Sequence, residues 1–172
     1  MLENYTNNFF EGIAITGVGF CFYELNLILC LQFLKANEFQ TSVAQELADS
    51  GQIDLIDGSH SHSVQPITQI GNTWIAYSHG NFVAAQREPT TIKSEGLVTR
   101  WEFVESASGG FKLSCVKEVP TLIRDDRPVR VIDVNKALQT GEYFGETKNR
   151  LEQAKIRTDE TVRALGFTQF CN

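Results

Sequence analysis

The stretch DLIDGSHSHSVQPITQIGNTWIAYSHGNFVAAQ, residues 54–86, decides the fold reading, because three short apolar runs in it are separated by a two-histidine loop and a two-residue turn. The run IDLIDG closes on Gly58 and reads as a buried strand delivered into the loop Ser59 to Ser63. Val64 to Ile70 is expected to pair with Thr73 to Tyr77 across Gly71-Asn72, a hairpin signal in reversed order. Just upstream, EFQTSVAQELADS sets Phe39, Val43, Leu47 and Ala48 on one side at helical spacing, and Gly51 follows as a stop. Strand, helix and strand in that order make a crossover unit, so the sheet is expected to be parallel in part.

Downstream the period changes to two. LVTRWEFVE alternates from Leu97, SASGG turns the chain, and FKLSCVKEV alternates back, with Phe111, Leu113, Cys115 and Val119 expected on the inner face. Pro120 is expected to end that hairpin, and PVRVIDV after Pro128 gives another short strand. From Thr147 to Leu165 the residues Leu151, Ala154, Val162 and Leu165 recur at helical spacing, with Asp159 and Arg163 as an i,i+4 pair and Gly166 as a cap. Upstream, the apolar run Ile13 to Leu34 is long enough to span a bilayer, which takes about 20 residues. Glu24 stands in its middle, where a carboxylate costs roughly 2.5–3.5 kcal/mol. With Gly17 and Gly19 also dividing the run, two buried strands joined by a turn at Glu24 to Asn26 are the better reading.

The chain has 172 residues, with 15 basic and 21 acidic ones for a net charge of −6, which suits one domain. Its lysines and arginines are scattered among acids, so nothing offers the local surplus that a phosphate backbone requires, and nucleic acid is not expected as a partner. A hydrophobic fraction of 42% with only 4 prolines excludes collagen-like and disordered classes. Cys21, Cys30, Cys115 and Cys171 are widely spaced, so no disulfide scaffold is expected, and Cys30 and Cys115 read as core residues. The start MLENYTNNFFEG lacks the basic residues that open a secretory signal.

The chemistry is confined to few residues, since the chain has 3 histidines: His60, His62 and His79. In an extended segment residues two apart point the same way, so His60 and His62 can present both imidazoles to one ion. The other reading of an isolated H-x-H is a polar loop wetted by solvent. A catalytic centre wants three or more protein ligands, and Asp57 and His79 are the local residues that could make up the number. Asn81 is a polar contact beside them, although Gly80-Asn81 also reads as plain turn chemistry.

These residues resemble the poly-γ-glutamate capsule-biosynthesis family of the CapA type. That family has a strand, a loop of the form G-H-H-x-H-V-x-Q-P, and a strand ending in Y-S/G-L-G-N. Here the loop reads Gly58, Ser59, His60, Ser61, His62, Ser63, Val64, Gln65, Pro66, with Ser59 in place of the first histidine. Gln40, Ala44 and Leu47 match the family's Q-x-x-x-A-x-x-L helix, and EGLVTRWEFVE, VPTLI and PVRVIDV resemble its trailing strands.

The resemblance implies an α/β fold, part of a calcineurin-like metallophosphoesterase two-sheet sandwich with outer helices and its N-terminal portion missing. Residues 1–140 would form the partial domain and 141–172 a helical tail. It further implies His60 and His62 as ligands of a divalent metal (Mn, Zn or Fe), with His79 and Asn81 as the catalytic residues. The substrate would be a phosphoester or a polyanionic polymer, with membrane-associated capsule machinery as a partner. The family's G-D and A-N-N-H elements are absent, and Gln32 and Phe33 stand where its H-W-G segment falls, so a fragment with an incomplete metal centre is expected. Turnover by this chain is then doubtful, and the alternative is a non-catalytic polymer- or partner-binding module. Self-association is expected through an uncovered sheet bearing Phe9, Phe10, Ile13, Phe20 and Leu27.

Overall fold

The structure, a computed structural model, describes residues 34–83, 91–107, 111–124 and 128–171. The expected strands of the run Ile13 to Leu34, Leu34 itself apart, the fates of Cys21 and Cys30, and the apolar residues invoked for self-association lie outside the described residues. No helix among the described residues is long and apolar enough to cross a membrane.

The described chain is α/β, with three helices and two three-stranded sheets. Helix α1 (Glu38–Asp49) starts at a capping box, in which the Asn37 side chain accepts from Gln40 N–H and the Gln40 side chain accepts from Asn37 N–H. Its inner side is Gln40, Val43, Ala44, Leu47 and Ala48, while Phe39, expected on that side, is 54% exposed. The register is displaced because Gln40 turns inward to serve both the cap and the loop beyond.

The first sheet has the order β1-β3-β2, with β1 (Leu55–Asp57) parallel to β3 (Thr73–Ala76) and β2 (Ile67–Ile70) antiparallel to it. The β2–β3 hairpin agrees with the sequence reading, whereas the parallel pair is β1 with β3, joined through the histidine loop and β2; the strand expected to precede α1 in a crossover lies outside the described residues. Ile70 faces Thr73 across the two-residue loop, whose leading Gly71 takes the left-handed conformation at φ 56°.

The second sheet has the order β4-β5-β6, from β4 (Glu95–Glu105), β5 (Phe111–Arg124) and β6 (Arg130–Asp133). Pro120 does not end β5. Its partner is Leu97, whose N–H is spent on His79 O at 2.8 Å, so the Leu97/Pro120 pair is one without mutual hydrogen bonds. The proline nitrogen therefore faces away from β4, on a flank that β6 reaches only from Thr121 onward. A bulge shifts the register between Glu102 and Phe103, leaving Ser114 as the extra residue. As a result Leu113 and Val116 point inward, Phe111 is 52% exposed, and Cys115 turns to the outer face.

Helix α2 (Val134–Thr140), which the sequence reading lacks, is capped by the Asp133 side chain accepting from Lys136 N–H and closes on Gly141 at φ 66°. Helix α3 (Gly145–Val162) buries Leu151, Ala154 and Val162 as expected, whereas Leu165 lies beyond its end and is exposed. Leu151 and Ala154 pack with Leu122, Ile132, Val134 and Ala137. Val162 and Phe167 join Val64, and Ile67 and Ala76 of the first sheet, to Leu97, Leu113 and Val116 of the second.

After α3 the chain returns to β5. Val116 bridges Phe170 in parallel, Val116 N–H donates to Gln169 O and Cys171 N–H donates to Val116 O. Cys115 and Cys171 form a disulfide, correcting the reading of unpaired thiols. The pairing closes a loop across 56 residues of sequence, a distance over which spacing alone gives no signal.

Two ion pairs tie α3 to the second sheet. Arg157 holds Glu95 through two hydrogen bonds of 2.9 and 2.6 Å, and Glu95 is only 4% exposed. Breaking this pair from the arginine side strands a buried carboxylate, so Arg157→Met is expected to lower stability by about 2–4 kcal/mol in urea unfolding. Arg163 holds Glu118 at 2.5 Å, yet burial outweighs that cation and raises the Glu118 carboxyl above its ordinary value. The folded chain thus keeps this proton to higher pH than the unfolded one, and its contribution to stability falls as pH rises through that interval. Unfolding midpoints measured from mildly acidic to neutral pH should decline less steeply in Glu118→Gln than in the parent.

Candidate functional site

The site lies where the first sheet meets the second. Past β3 the chain continues as Tyr77 to Asn81 between two partners. On one side Tyr77 N–H donates to Pro66 O, Gln65 N–H to Ser78 O, and Val64 bridges His79. On the other side Asn81 N–H donates to Glu95 O, Leu97 N–H donates to His79 O, and Gly80 bridges Gly96. The approach between these backbones needs glycine: a Cβ on Gly96 would stand 2.1 Å from Asn81 O, and one on Gly80, which is at φ +69°, would stand 2.7 Å from Glu95 O.

The histidine loop hangs from this junction. It is not extended, since His60 (φ 85°) and His62 (φ 55°) both occupy the left-handed region that side chains beyond glycine rarely adopt. The serines between and after them explain the fold-back. Ser61 Oγ donates to Ser63 O at 2.8 Å, and both serines are buried. With the serines turned in, the imidazoles turn out: His60 is exposed, His62 is half-buried, and their ring centroids are 6.0 Å apart at a 40° tilt. The left-handed backbone, and not the extended segment expected, sets the two rings beside each other.

Asn81 fixes His62. It is 4% exposed, and its amide nitrogen donates to Lys93 O at 2.7 Å, which orients Oδ1 toward the loop. His62 Nδ1 lies 2.7 Å from that oxygen, which can only accept, so Nδ1 carries the proton. In the neutral ring Nε2 is then left as a lone-pair donor, the arrangement by which an outer partner readies an imidazole for a ligand.

His79 is turned elsewhere. Its Nδ1 donates to Asp57 Oδ1 at 2.7 Å, and Nε2 meets Thr99 Oγ1 at 2.8 Å. Trp101 Nε1–H also donates to Thr99 Oγ1, at 3.0 Å, so in the neutral ring the threonine hydroxyl proton points to His79. Asp57 and His79, the two residues considered for completing a metal set, are thus joined to each other and to β4. Among the described residues, the group of three His, Cys, Asp or Glu ligand atoms in close proximity lies elsewhere, at Glu102, Cys115 and Cys171.

The loop is also held from α1. Gln40 Nε2 donates to Gln65 Oε1 at 2.7 Å, and Gln65, 2% exposed, donates to Lys35 O at 3.0 Å. Burial raises the neighbouring Tyr77 phenol above its ordinary value, which keeps it protonated. Gln40, Gln65, Thr99 and Trp101 all sit inside quoted motifs, but nothing in the sequence marks Lys93, Thr99 or Trp101 as partners of the histidines; only tertiary pairing brings them there.

Residues 32–86 match the family model of the bacterial capsule synthesis protein PGA_cap. The matched segment runs from before α1 through the histidine loop to just past Asn81, in agreement with the resemblance read from the motifs. No curated protein and no solved structure matches the chain.

Replacing Asn81 by Leu removes the acceptor for His62 and the donor for Lys93 O. The loss of these partners is expected to cost about 1–3 kcal/mol in urea unfolding. Nitrogen-15 NMR of the imidazoles should show the neutral His62 leaving the Nδ1–H form in that variant while His79 keeps its own.

Proposed function

We propose that this chain serves capsule-polymer synthesis through a metallophosphoesterase-like module in which His60 and His62 hold one side of a divalent metal centre. The observation that carries this reading is the coincidence of the capsule synthesis match over residues 32–86 with a loop whose His62 has its Nδ1 proton committed to Asn81.

The donor chemistry fits an imidazole-binding metal such as zinc or iron in part: two adjacent imidazoles, one with an ordered outer partner. A metal bound there would supply Lewis-acid polarisation of a phosphoryl oxygen or activation of water. The protein's own contribution is positional. Asn81 keeps the His62 proton on Nδ1, the inward serines hold the loop, and the Asp57–His79–Thr99 chain keeps the neighbouring strand in place. The substrate class is a phosphoester or a polyanionic polymer, and the capsule machinery is the setting.

A second reading has its own support. Asp57 and His79 are engaged with each other, so the described residues offer the loop two imidazoles and no third ligand atom close by. A module that binds polymer or partner without turning it over accords with that. Metal titration and turnover separate the two readings. Calorimetry with manganese or zinc should show weak binding that His60→Ala/His62→Ala abolishes, and unchanged binding in the double variant would overturn the ligand assignment. Against an aryl phosphate with added manganese, we expect no appreciable turnover from this chain alone. Turnover at ordinary enzyme rates that is lost in His62→Ala would mean that the remaining ligands come from elsewhere in the chain.

A further inference from the structure

The outer face of the second sheet carries a row of ligand-type side chains that the capsule reading does not use. Register pairs Glu102 of β4 with Cys115 of β5, and the bulge at Ser114 puts Cys115 on the outer face instead of the core. Residues 169–171 lie along the other flank of β5 and place Cys171 next in line. One carboxylate oxygen and two sulfurs therefore lie within 4.8 Å of one another, all half-buried and within reach of solvent ions.

The thiols do not depend on their own bond to stay close. Val116 exchanges backbone hydrogen bonds with Gln169 and Cys171, and Gln169 Nε2 donates to Leu113 O at 2.6 Å and Ser114 O at 3.0 Å, which clamps the bulge. Phe170 is held from both sides, by Phe167 edge-to-face at 4.8 Å and by the Arg163 guanidinium 4.0 Å above its ring. Opening the disulfide therefore leaves two thiols facing each other across adjacent strands beside a carboxylate. Glu102 is engaged with Arg100, a largely exposed partner that a dication can displace.

We propose that Glu102, Cys115 and Cys171 form a redox-gated site for a thiophilic divalent metal of the zinc class, closed when the disulfide is formed and open when it is reduced. Reduction by a phosphine consumes one phosphine and one water, breaks the S–S bond, and yields two thiols and a phosphine oxide. Metal binding then releases one proton from each thiol, and two thiolates with one carboxylate leave a fourth tetrahedral position for water. Metal and disulfide exclude each other because the metal is held by thiolates, and oxidation to the disulfide converts both into neutral sulfurs that bind it poorly.

The test uses cobalt(II) as the probe on the full chain in a Cys21→Ser/Cys30→Ser background, so that two thiols remain. After phosphine reduction, cobalt should give a thiolate-to-metal charge-transfer band of one equivalent. The oxidised protein should give none. Cys115→Ser should remove most of the band. Glu102→Gln should weaken binding about tenfold or more, since even an outer-shell partner is worth about 10- to 100-fold. His60→Ala/His62→Ala should leave the band unchanged, which separates this site from the histidine loop. Bound zinc should also slow re-formation of the disulfide by oxidised glutathione. A reduced chain with native far-ultraviolet circular dichroism and no band overturns the proposal, as does a band that survives in Cys115→Ser, or cobalt affinity in Glu102→Gln equal to that of the parent.

Discussion

The structure depends on one backbone contact, the run of chain from Tyr77 to Asn81 held between Val64–Pro66 and Glu95–Leu97. Each of the two sheets is too small to bury both of its faces alone, and this run is what brings them together. Gly80 and Gly96 permit the approach, and the hydrogen bonds from Asn81 N–H to Glu95 O and Leu97 N–H to His79 O secure it. The same contact decides where the side chains of His79 and Asn81 emerge, so the packing of the core and the geometry of the loop have one origin.

Asp57, His79, Thr99 and Trp101 meet one another in a hydrogen-bonded chain that crosses the inter-sheet boundary. Asp57 closes β1, Thr99 lies in β4, and His79 bonds to both. The His79 side chain is thereby held by partners on both sheets. Trp101 supplies the last donor while its ring packs against the core, so burial and hydrogen bonding are met by one residue. On the other flank Arg157 reaches from α3 to Glu95, the residue whose carbonyl receives Asn81 N–H, and thereby anchors the junction from below.

Local patterns made much of this legible. The α1 helix, the β2–β3 hairpin, the β4–β5 hairpin and α3 each follow from periodicity and turn residues that lie next to one another in sequence. The departures all have causes that act across the chain. Phe39 faces solvent because Gln40 is recruited by Gln65, 25 residues away. Pro120 stays within β5 because Leu97 spends its N–H on His79. Phe111 and Cys115 turn outward because Ser114 is an extra residue against β4. In the site, the placement of the His60 and His62 rings follows from left-handed backbone that the extended reading of the spacing does not contain, and the commitment of His79 to Asp57 and Thr99 has no local signal, since 20 residues separate the histidine from its hydroxyl partner.

The sequence distances spanned by the junction set an order of assembly. The first sheet closes over short loops, with Ile70 and Thr73 separated by two residues, and its hairpin can form early. His62 acquires Asn81 only across 19 residues, Asn81 acquires Lys93 O across 12 more, and Glu95 acquires Arg157 across 62. Contacts of high sequence separation come late because chain closure must precede them. The histidine loop is therefore completed only after longer closures than the hairpin needs, and a chain in which the hairpin alone has formed carries the two imidazoles without the amide that orients one of them. Any ligand that needs His62 in a fixed tautomer consequently selects the finished fold and is blind to the chain on its way there.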